Sequence, residues 1–206
     1  DKLGKLIESL ENHSKNYHKN STEYYYEVRK QEPKQQIEKV SRLIFLNRTC
    51  FNGLYRVNKK GQFNVPLGRY TNPNIINKEN LMAVSKILHS EKIKISCRGF
   101  ETVFDDAKKD DLVYFDPPYQ PISSTANFTS YTNRDFTEKD LERLVDLANQ
   151  LNSKGCHVLM SNSNSKIVKN FFSEKYWSIS EISANRAINS DSTKRTGHKE
   201  IIIKNY

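Results

Sequence analysis

Leu112-Val113-Tyr114-Phe115-Asp116-Pro117-Pro118-Tyr119 is the stretch on which this chain turns. Its first four residues are apolar or aromatic and follow the acidic pair Asp110 and Asp111, which reads as a buried strand. Two prolines cannot continue a central strand, because each lacks the ladder N–H and fixes its own φ. The chain must therefore leave the sheet straight after Asp116. One carboxylate, a rigid pair of carbonyls and one aromatic ring are set down together at the carboxyl end of a strand. In open α/β sheets, ligands bind at that edge.

Such a group suits one kind of chemistry. An amino group on an aromatic ring is a poor nucleophile because its lone pair is delocalised. A carboxylate (Asp116) and a backbone carbonyl (Pro117) that each accept one N–H draw the nitrogen toward tetrahedral geometry. Pro118 stiffens the carbonyl, and Tyr119 can stack on the ring that bears the amine. This is a site for electrophilic attack on the exocyclic amine of a nucleobase, built from positioning and electrostatics. A plain strand-ending turn with a packed tyrosine is the structural alternative.

Working outward, strands and helices alternate from about residue 93. Ile93–Cys97 reads as one strand and Leu112–Asp116 as the next. Thr137-Glu138-Lys139-Asp140 has the form of a capping box. It opens a helix carrying Leu141, Leu144, Val145, Ala148 and Leu151 on one face, with Gly155 just past its end. A strand at His157–Met160 and a helix near Ile167–Phe172 follow. Late strands near Trp177–Ile182 and Glu200–Tyr206 can form a hairpin. Helix-linked strands imply parallel pairing.

Upstream, residues 1–32 read as polar and helical, and Pro33 punctuates. A helix around Ile37–Leu46 leads into Phe51–Pro66, which has the pattern of a loop and hairpin with turn residues Asn58–Gly61. Asn77 is placed to cap a helix with Leu81, Val84, Ile87 and Leu88. The 51–66 segment interleaves Phe51, Tyr55 and Phe63 with Arg48, Arg56, Lys59, Lys60 and Arg69. Aromatics beside cations suit stacking on bases while phosphates are neutralised. Arg56 is the side chain expected to fork onto a guanine edge, and Asn52 and Asn64 are amide readers. An ordinary solvated hairpin stands as the competing reading.

The bulk chemistry agrees with a polyanionic partner. Across 206 residues the formal charge is +9, which attracts phosphate backbones. No apolar run approaches the roughly 18 residues that a membrane span requires. The three cysteines are far apart and build neither a metal box nor a disulfide framework, so a reducing cytoplasm is the expected home and no metal site is expected. The loop 123–135, with Phe128 and Tyr131, has the length of a lid. Arg186, Lys194, Arg195, His198 and Lys199 form a candidate phosphate clamp. Ser161-Asn162-Ser163 ends a strand and either lines the same cleft or caps the next helix.

Taken in order, Phe51-Asn52-Gly53-Leu54-Tyr55-Arg56, Phe63-Asn64-Val65-Pro66 with Gly68-Arg69-Tyr70, Asp116-Pro117-Pro118-Tyr119, Phe128-Thr129-Ser130-Tyr131 and Ser161-Asn162-Ser163 resemble the Dam-type DNA adenine methyltransferases, the Dpn-type modification enzymes among them. The resemblance runs through essentially the whole chain. It implies an α/β fold: part of a Rossmann-like S-adenosylmethionine-dependent methyltransferase sheet with an inserted helical and hairpin target-recognition domain. Residues 1–32 would then be a helical remainder of the catalytic domain, 33–92 the recognition domain with its DNA-reading hairpin at about 51–70, and 93–206 the C-terminal part of the catalytic domain. The implied reaction is methyl transfer from S-adenosylmethionine to the 6-amino group of an adenine flipped from the duplex, typically in GATC.

The same resemblance carries roles onto matching positions. Asp116, Pro117, Pro118 and Tyr119 would be catalytic, and Phe100 and Asp116 would touch the cofactor. Phe51, Asn52, Leu54, Arg56, Asn64, Pro66, Arg69, Tyr131, Arg186, Lys194 and Arg195 would touch DNA. Double-stranded DNA is the implied partner, with a cognate restriction endonuclease acting on the same site. Two departures stand out. Gly99 occupies a position where close relatives carry an acid. The chain has seven glycines, no two of them separated by a single residue, so the family's Phe-x-Gly-x-Gly cofactor motif is absent. With Asp1 leading straight into a helical pattern, the expectation is a piece of a longer enzyme, poorly stable and inactive when isolated. A ribosomal-RNA guanine amino-methyltransferase, an enzyme for another short DNA target and a non-catalytic DNA-binding remnant remain open at this level.

Overall fold

Asn20 decides how the chain begins, because it ends one helix and caps the next. The computed structural model describes residues 2–121, 136–172, 175–184 and 198–206. In it α1 (Lys2–Lys19) stops where the Asn20 side chain accepts from the Glu23 N–H at 3.3 Å, which starts α2 (Ser21–Lys30). The end of α2 is closed from outside. Arg42 on α3 (Gln36–Thr49) donates to the Val28 and Arg29 carbonyls at 2.9 and 2.6 Å, giving orphan acceptors a cationic partner.

The chain divides into two compact units between Ser96 and Cys97. The first unit holds α1–α3, the 51–76 segment and α4 (Lys78–Leu88). Its core is aromatic. Phe45 meets Tyr17 and Tyr24 edge-on with ring centroids 5.8 and 5.6 Å apart, and His13 stacks on it at 4.9 Å. Tyr17, Tyr25 and Val28 share this core with Leu46, Phe63 and Val65, so residues on both sides of Pro33 bury one another. Tyr25 donates to the Val65 carbonyl at 2.9 Å and ties α2 to the hairpin. Asn77 caps α4 through the Asn80 N–H, as its position suggested.

Sheet order in the second unit is β1-β2-β4-β3, from β1 (Leu112–Phe115), β2 (His157–Ser163), β3 (Ser178–Ala184) and β4 (His198–Lys204). β1 and β2 are parallel, with α6 (Glu138–Ser153) between them in sequence, and β4 is antiparallel to both β2 and β3. α5 (Val103–Asp106) precedes β1, and α7 (Lys166–Phe171) follows β2. The apolar stripe of α6 (Leu141, Leu144, Val145, Ala148, Leu151) lies in one core with Val113, Phe115, Val158, Met160, Ile201 and Ile203. Asn205 fastens the last strand by accepting from Val158 N–H and donating to Asn152 and the Cys156 carbonyl.

The capping box is present in full: Thr137 accepts from the Asp140 N–H, and Asp140 accepts from the Thr137 N–H at 2.9 Å. Thr137→Ala is therefore expected to lower stability by about 1 kcal/mol, with Thr137→Ser nearly neutral, as read by urea denaturation. A loss above about 3 kcal/mol would mean that Thr137 does more than cap.

Two expectations need correction. Ile93–Cys97 is not a strand: it makes no ladder, and Ile95 is 72% exposed. Alternation cannot make a strand without an edge to pair with. Nor is β1 buried on both faces, since Val113 and Phe115 are buried while Leu112 and Tyr114 are 61% and 55% exposed. Val113 and Phe115 share a core with α6, whereas Leu112 and Tyr114 stand on the more exposed face of the strand.

Candidate active site and nucleic-acid interface

The parallel register builds the first site. Phe115 pairs with Met160, so Asp116 and Ser161 are the next residues at adjacent strand positions, both at the carboxyl ends. Asp116 is exposed and Ser161 is buried. The Ser161 hydroxyl donates to Asp116 Oδ1 at 2.7 Å, and the Tyr114 hydroxyl lies 3.0 Å from Ser161 Oγ. Among the described residues Asp116 makes no other hydrogen bond, which leaves Oδ2 open as an acceptor.

Beyond the carboxylate, Pro117 is half-buried and Pro118 exposed. Tyr119 is half-buried, and its hydroxyl donates to Glu200 Oε2 at 3.4 Å. Burial, with help from the negative Glu200 and Asp116, pushes the Tyr119 phenol above its ordinary value, while Ser161 pulls the other way. The phenol is thus neutral at physiological pH.

The turn after Tyr119 is sewn to the end of β2. Asn162 Oδ1 accepts from the N–H groups of Gln120 and Ser163 at 3.2 and 2.8 Å, and Ser163 donates to the Gln120 carbonyl at 2.5 Å. Those two acceptor roles fix the Asn162 amide orientation. Among the described residues its Nδ2, and the Nε2 of Gln120, are buried donors with no partner. Of the two readings of Ser161-Asn162-Ser163, the capping one does not hold, and Ser161 lies against Asp116. Helix α7 is capped instead by Ser165.

Phe100, the expected cofactor contact, opens a 3₁₀ turn (Phe100–Thr102) and is half-buried in this second unit. The Arg143 guanidinium lies 5.3 Å from its ring centroid, and Phe136 is 6.5 Å away. Arg143 also pairs with Glu101 and Asp140. Among the described residues no three His, Cys, Asp or Glu side chains converge as a metal site. No described helix is long and apolar enough to cross a membrane.

The second site lies in the first unit. Phe51, Asn52 and Gly53 form a 3₁₀ turn in which Asn52 and Gly53 have φ of 53° and 62°. A non-glycine residue in the left-handed region costs energy and marks a shaped loop. Asn47 holds this turn by donating to the Gly53 carbonyl at 2.7 Å. The hairpin is closed at its base by Phe51 N–H on the Pro66 carbonyl and Gly68 N–H on the Thr49 carbonyl, at 2.9 and 2.8 Å. At its tip Asn58 Oδ1 accepts from Lys60 and Gln62 N–H groups, and Gly61 takes φ 77°.

Of the residues expected to meet DNA here, Phe51, Asn52, Arg56, Pro66 and Arg69 are exposed, while Leu54 and Asn64 are half-buried. One pairing was not legible in sequence: Arg56 donates through Nε to Asn64 Oδ1 at 2.8 Å and through Nη2 to the Asn64 carbonyl at 3.3 Å. Tyr131, Arg186, Lys194 and Arg195 lie outside the described residues. Lys199, a member of the expected clamp, pairs with Glu181 at 3.0 Å.

The profile of the D12 class N6 adenine-specific DNA methyltransferases matches residues 1–188. A Type II methyltransferase of Lactococcus lactis subsp. cremoris, M1.LlaDCHI, is 43% identical over 212 aligned residues, covering 100% of this chain and 73% of its own length. The Type II methyltransferase M.MjaIII of Methanocaldococcus jannaschii is 44% identical over 192 residues, 89% of this chain and 65% of that protein. A DNA adenine methylase of Vibrio cholerae is 34% identical over 186 residues, with the same two coverages of 89% and 65%. The chain thus spans about two thirds to three quarters of the length of these relatives.

Proposed function

The chain belongs to the D12 class N6 adenine-specific DNA methyltransferases, and on that footing we propose that it transfers a methyl group from S-adenosylmethionine to the 6-amino group of an adenine turned out of double-stranded DNA, at GATC. The carrying observation is the open oxygen of Asp116. Ser161 occupies Oδ1, and Oδ2 makes no hydrogen bond among the described residues, at the start of the Pro117-Pro118 turn that leads to Tyr119.

In this reading Asp116 Oδ2 accepts one N–H of the adenine amine and the Pro117 carbonyl accepts the other. Two acceptors out of the ring plane localise the nitrogen lone pair, and positioning supplies most of the acceleration. Tyr119 stacks on the flipped base and offsets the cost of unstacking it. When bound, S-adenosylmethionine supplies an electrophilic methyl group on a sulfonium centre. Phe100 and Asp116 would hold it, and the residues fit: Phe100 packs against the core yet is only partly buried, and among the described residues the buried donors of Gln120 and Asn162 have no partner.

We assign residues 33–92 to target recognition, with Phe51 as a wedge at the base step and Asn52, Leu54, Arg56, Asn64, Pro66 and Arg69 as contacts. Residues 93–206 belong to a Rossmann-like catalytic domain into which that module is inserted. The net charge of +9 supports a duplex partner. Two relatives carry the name Type II methyltransferase, in keeping with our reading that the chain is paired with a restriction endonuclease acting on the same site; we place that activity in the cytoplasm.

Tritium transfer from labelled S-adenosylmethionine to matched duplexes tests this in the full-length protein. Label should enter N6 of adenine in GATC-containing DNA alone. Equal labelling of duplexes without GATC would remove that target assignment. Duplex binding with no transfer at all would favour a non-catalytic DNA-binding protein.

A further inference from the structure

We infer that Ser161, steered by Tyr114, is the positioning residue that holds the Asp116 carboxylate in its working orientation. The inference rests on the functional reading above and deepens it. A hydroxyl has one hydrogen to give. Since Ser161 gives it to Asp116 Oδ1 at 2.7 Å, the Tyr114 hydroxyl must be the donor in the 3.0 Å contact with Ser161 Oγ. The direction of the chain is thereby set: Tyr114 donates to Ser161, and Ser161 donates to Asp116.

Side chains two apart on a strand share a face, so Tyr114 and Asp116 project the same way from β1. Ser161 stands on the neighbouring strand, one register step beyond the Phe115–Met160 pair. It is only 5% exposed, whereas Asp116 is exposed and follows the strand's last residue. Without Ser161 the carboxylate would turn freely about its own side-chain torsions. With it, one oxygen is committed and the other is left for the amine. Tyr114 explains itself in the same terms. Tyr114 is 55% exposed, yet its hydroxyl is engaged.

The test uses the full-length protein with three variants, steady-state methylation and thermal melting. Ser161→Ala should lower kcat by about 10- to 100-fold, the worth of a hydrogen bond to a charged group, while the KM for the GATC duplex changes less than about twofold. Ser161→Thr keeps the hydroxyl on a β-compatible side chain and should return kcat to within about threefold of wild type. Tyr114→Phe, at an exposed ring where folding is not at stake, should lower kcat by about 3- to 10-fold through loss of a neutral hydrogen bond. Ser161→Ala and Tyr114→Phe with wild-type kcat would overturn the inference and leave the methyltransferase reading standing. So would a Ser161→Ala loss that Thr does not rescue and that follows a fall in melting temperature. Wild-type protein that methylates no duplex would take down both.

Discussion

Asp116→Ala is expected to lower methyl transfer by about a thousandfold or more while duplex affinity stays within about threefold of wild type. Removing one preorganised partner from a developing charge costs about a hundred- to a thousandfold elsewhere, and Asp116 is proposed to face both the amine and the cofactor. Alanine also strands the Ser161 hydroxyl, whose donation to Oδ1 then has no acceptor at that distance. Binding should survive because the affinity of such proteins comes largely from cations meeting phosphates, and Asp116 is an anion. Asn is the sharper control. If Ser161 donates to the amide oxygen, the amide nitrogen faces the substrate and offers a donor where the adenine amine also donates. Asp116→Asn should therefore be nearly as inactive as Asp116→Ala. Transfer and fluorescence anisotropy on the same duplex read both quantities. A variant that keeps a tenth of wild-type transfer would remove Asp116 from the reacting nitrogen.

What the sequence shows well is whatever depends on one residue's own covalent chemistry. Pro117 and Pro118 end β1 wherever the rest of the chain lies. Asn77 and Thr137 cap helices with their own side chains, and Asn58–Gly61 turn because Asn58 can bond its own following backbone. The parallel β1–β2 pair and the late β3–β4 hairpin are likewise readable from what connects them. Features that depend on a distant partner are not readable. Ile93–Cys97 has a strand's alternation but makes no ladder, and the apolar positions Val84, Ile87 and Leu88 of α4 are exposed rather than buried. Leu112 and Tyr114 look like core beside Val113 and Phe115, since nothing polar distinguishes the two faces. The hold of Ser161 on Asp116 spans 45 positions and exists only through the register of two strands. The Arg56–Asn64 pair similarly waits on closure of the hairpin.

Arg56→Ala should produce the complementary result: transfer to the cognate duplex persists, and discrimination at one guanine position falls by about 1–3 kcal/mol, or roughly 5- to 150-fold. The guanidinium is already held in the free protein. Asn64 takes Nε and one Nη hydrogen, which fixes the guanidinium plane and leaves three N–H groups to spare on an exposed side chain. Ordering already present in the free protein is not lost again on binding, so the proposed guanine contact would be selective rather than merely attractive. Arg56→Lys separates geometry from charge. Lysine keeps the positive charge but cannot form the planar double donor, so specificity should fall nearly as far as with alanine while the salt dependence of binding stays wild-type. Methylation rates on GATC and on duplexes with the guanine replaced, each at two salt concentrations, decide the matter. If both variants weaken every duplex equally, and only alanine lowers the salt slope by about one, Arg56 is a phosphate contact and the guanine must be read elsewhere on the hairpin.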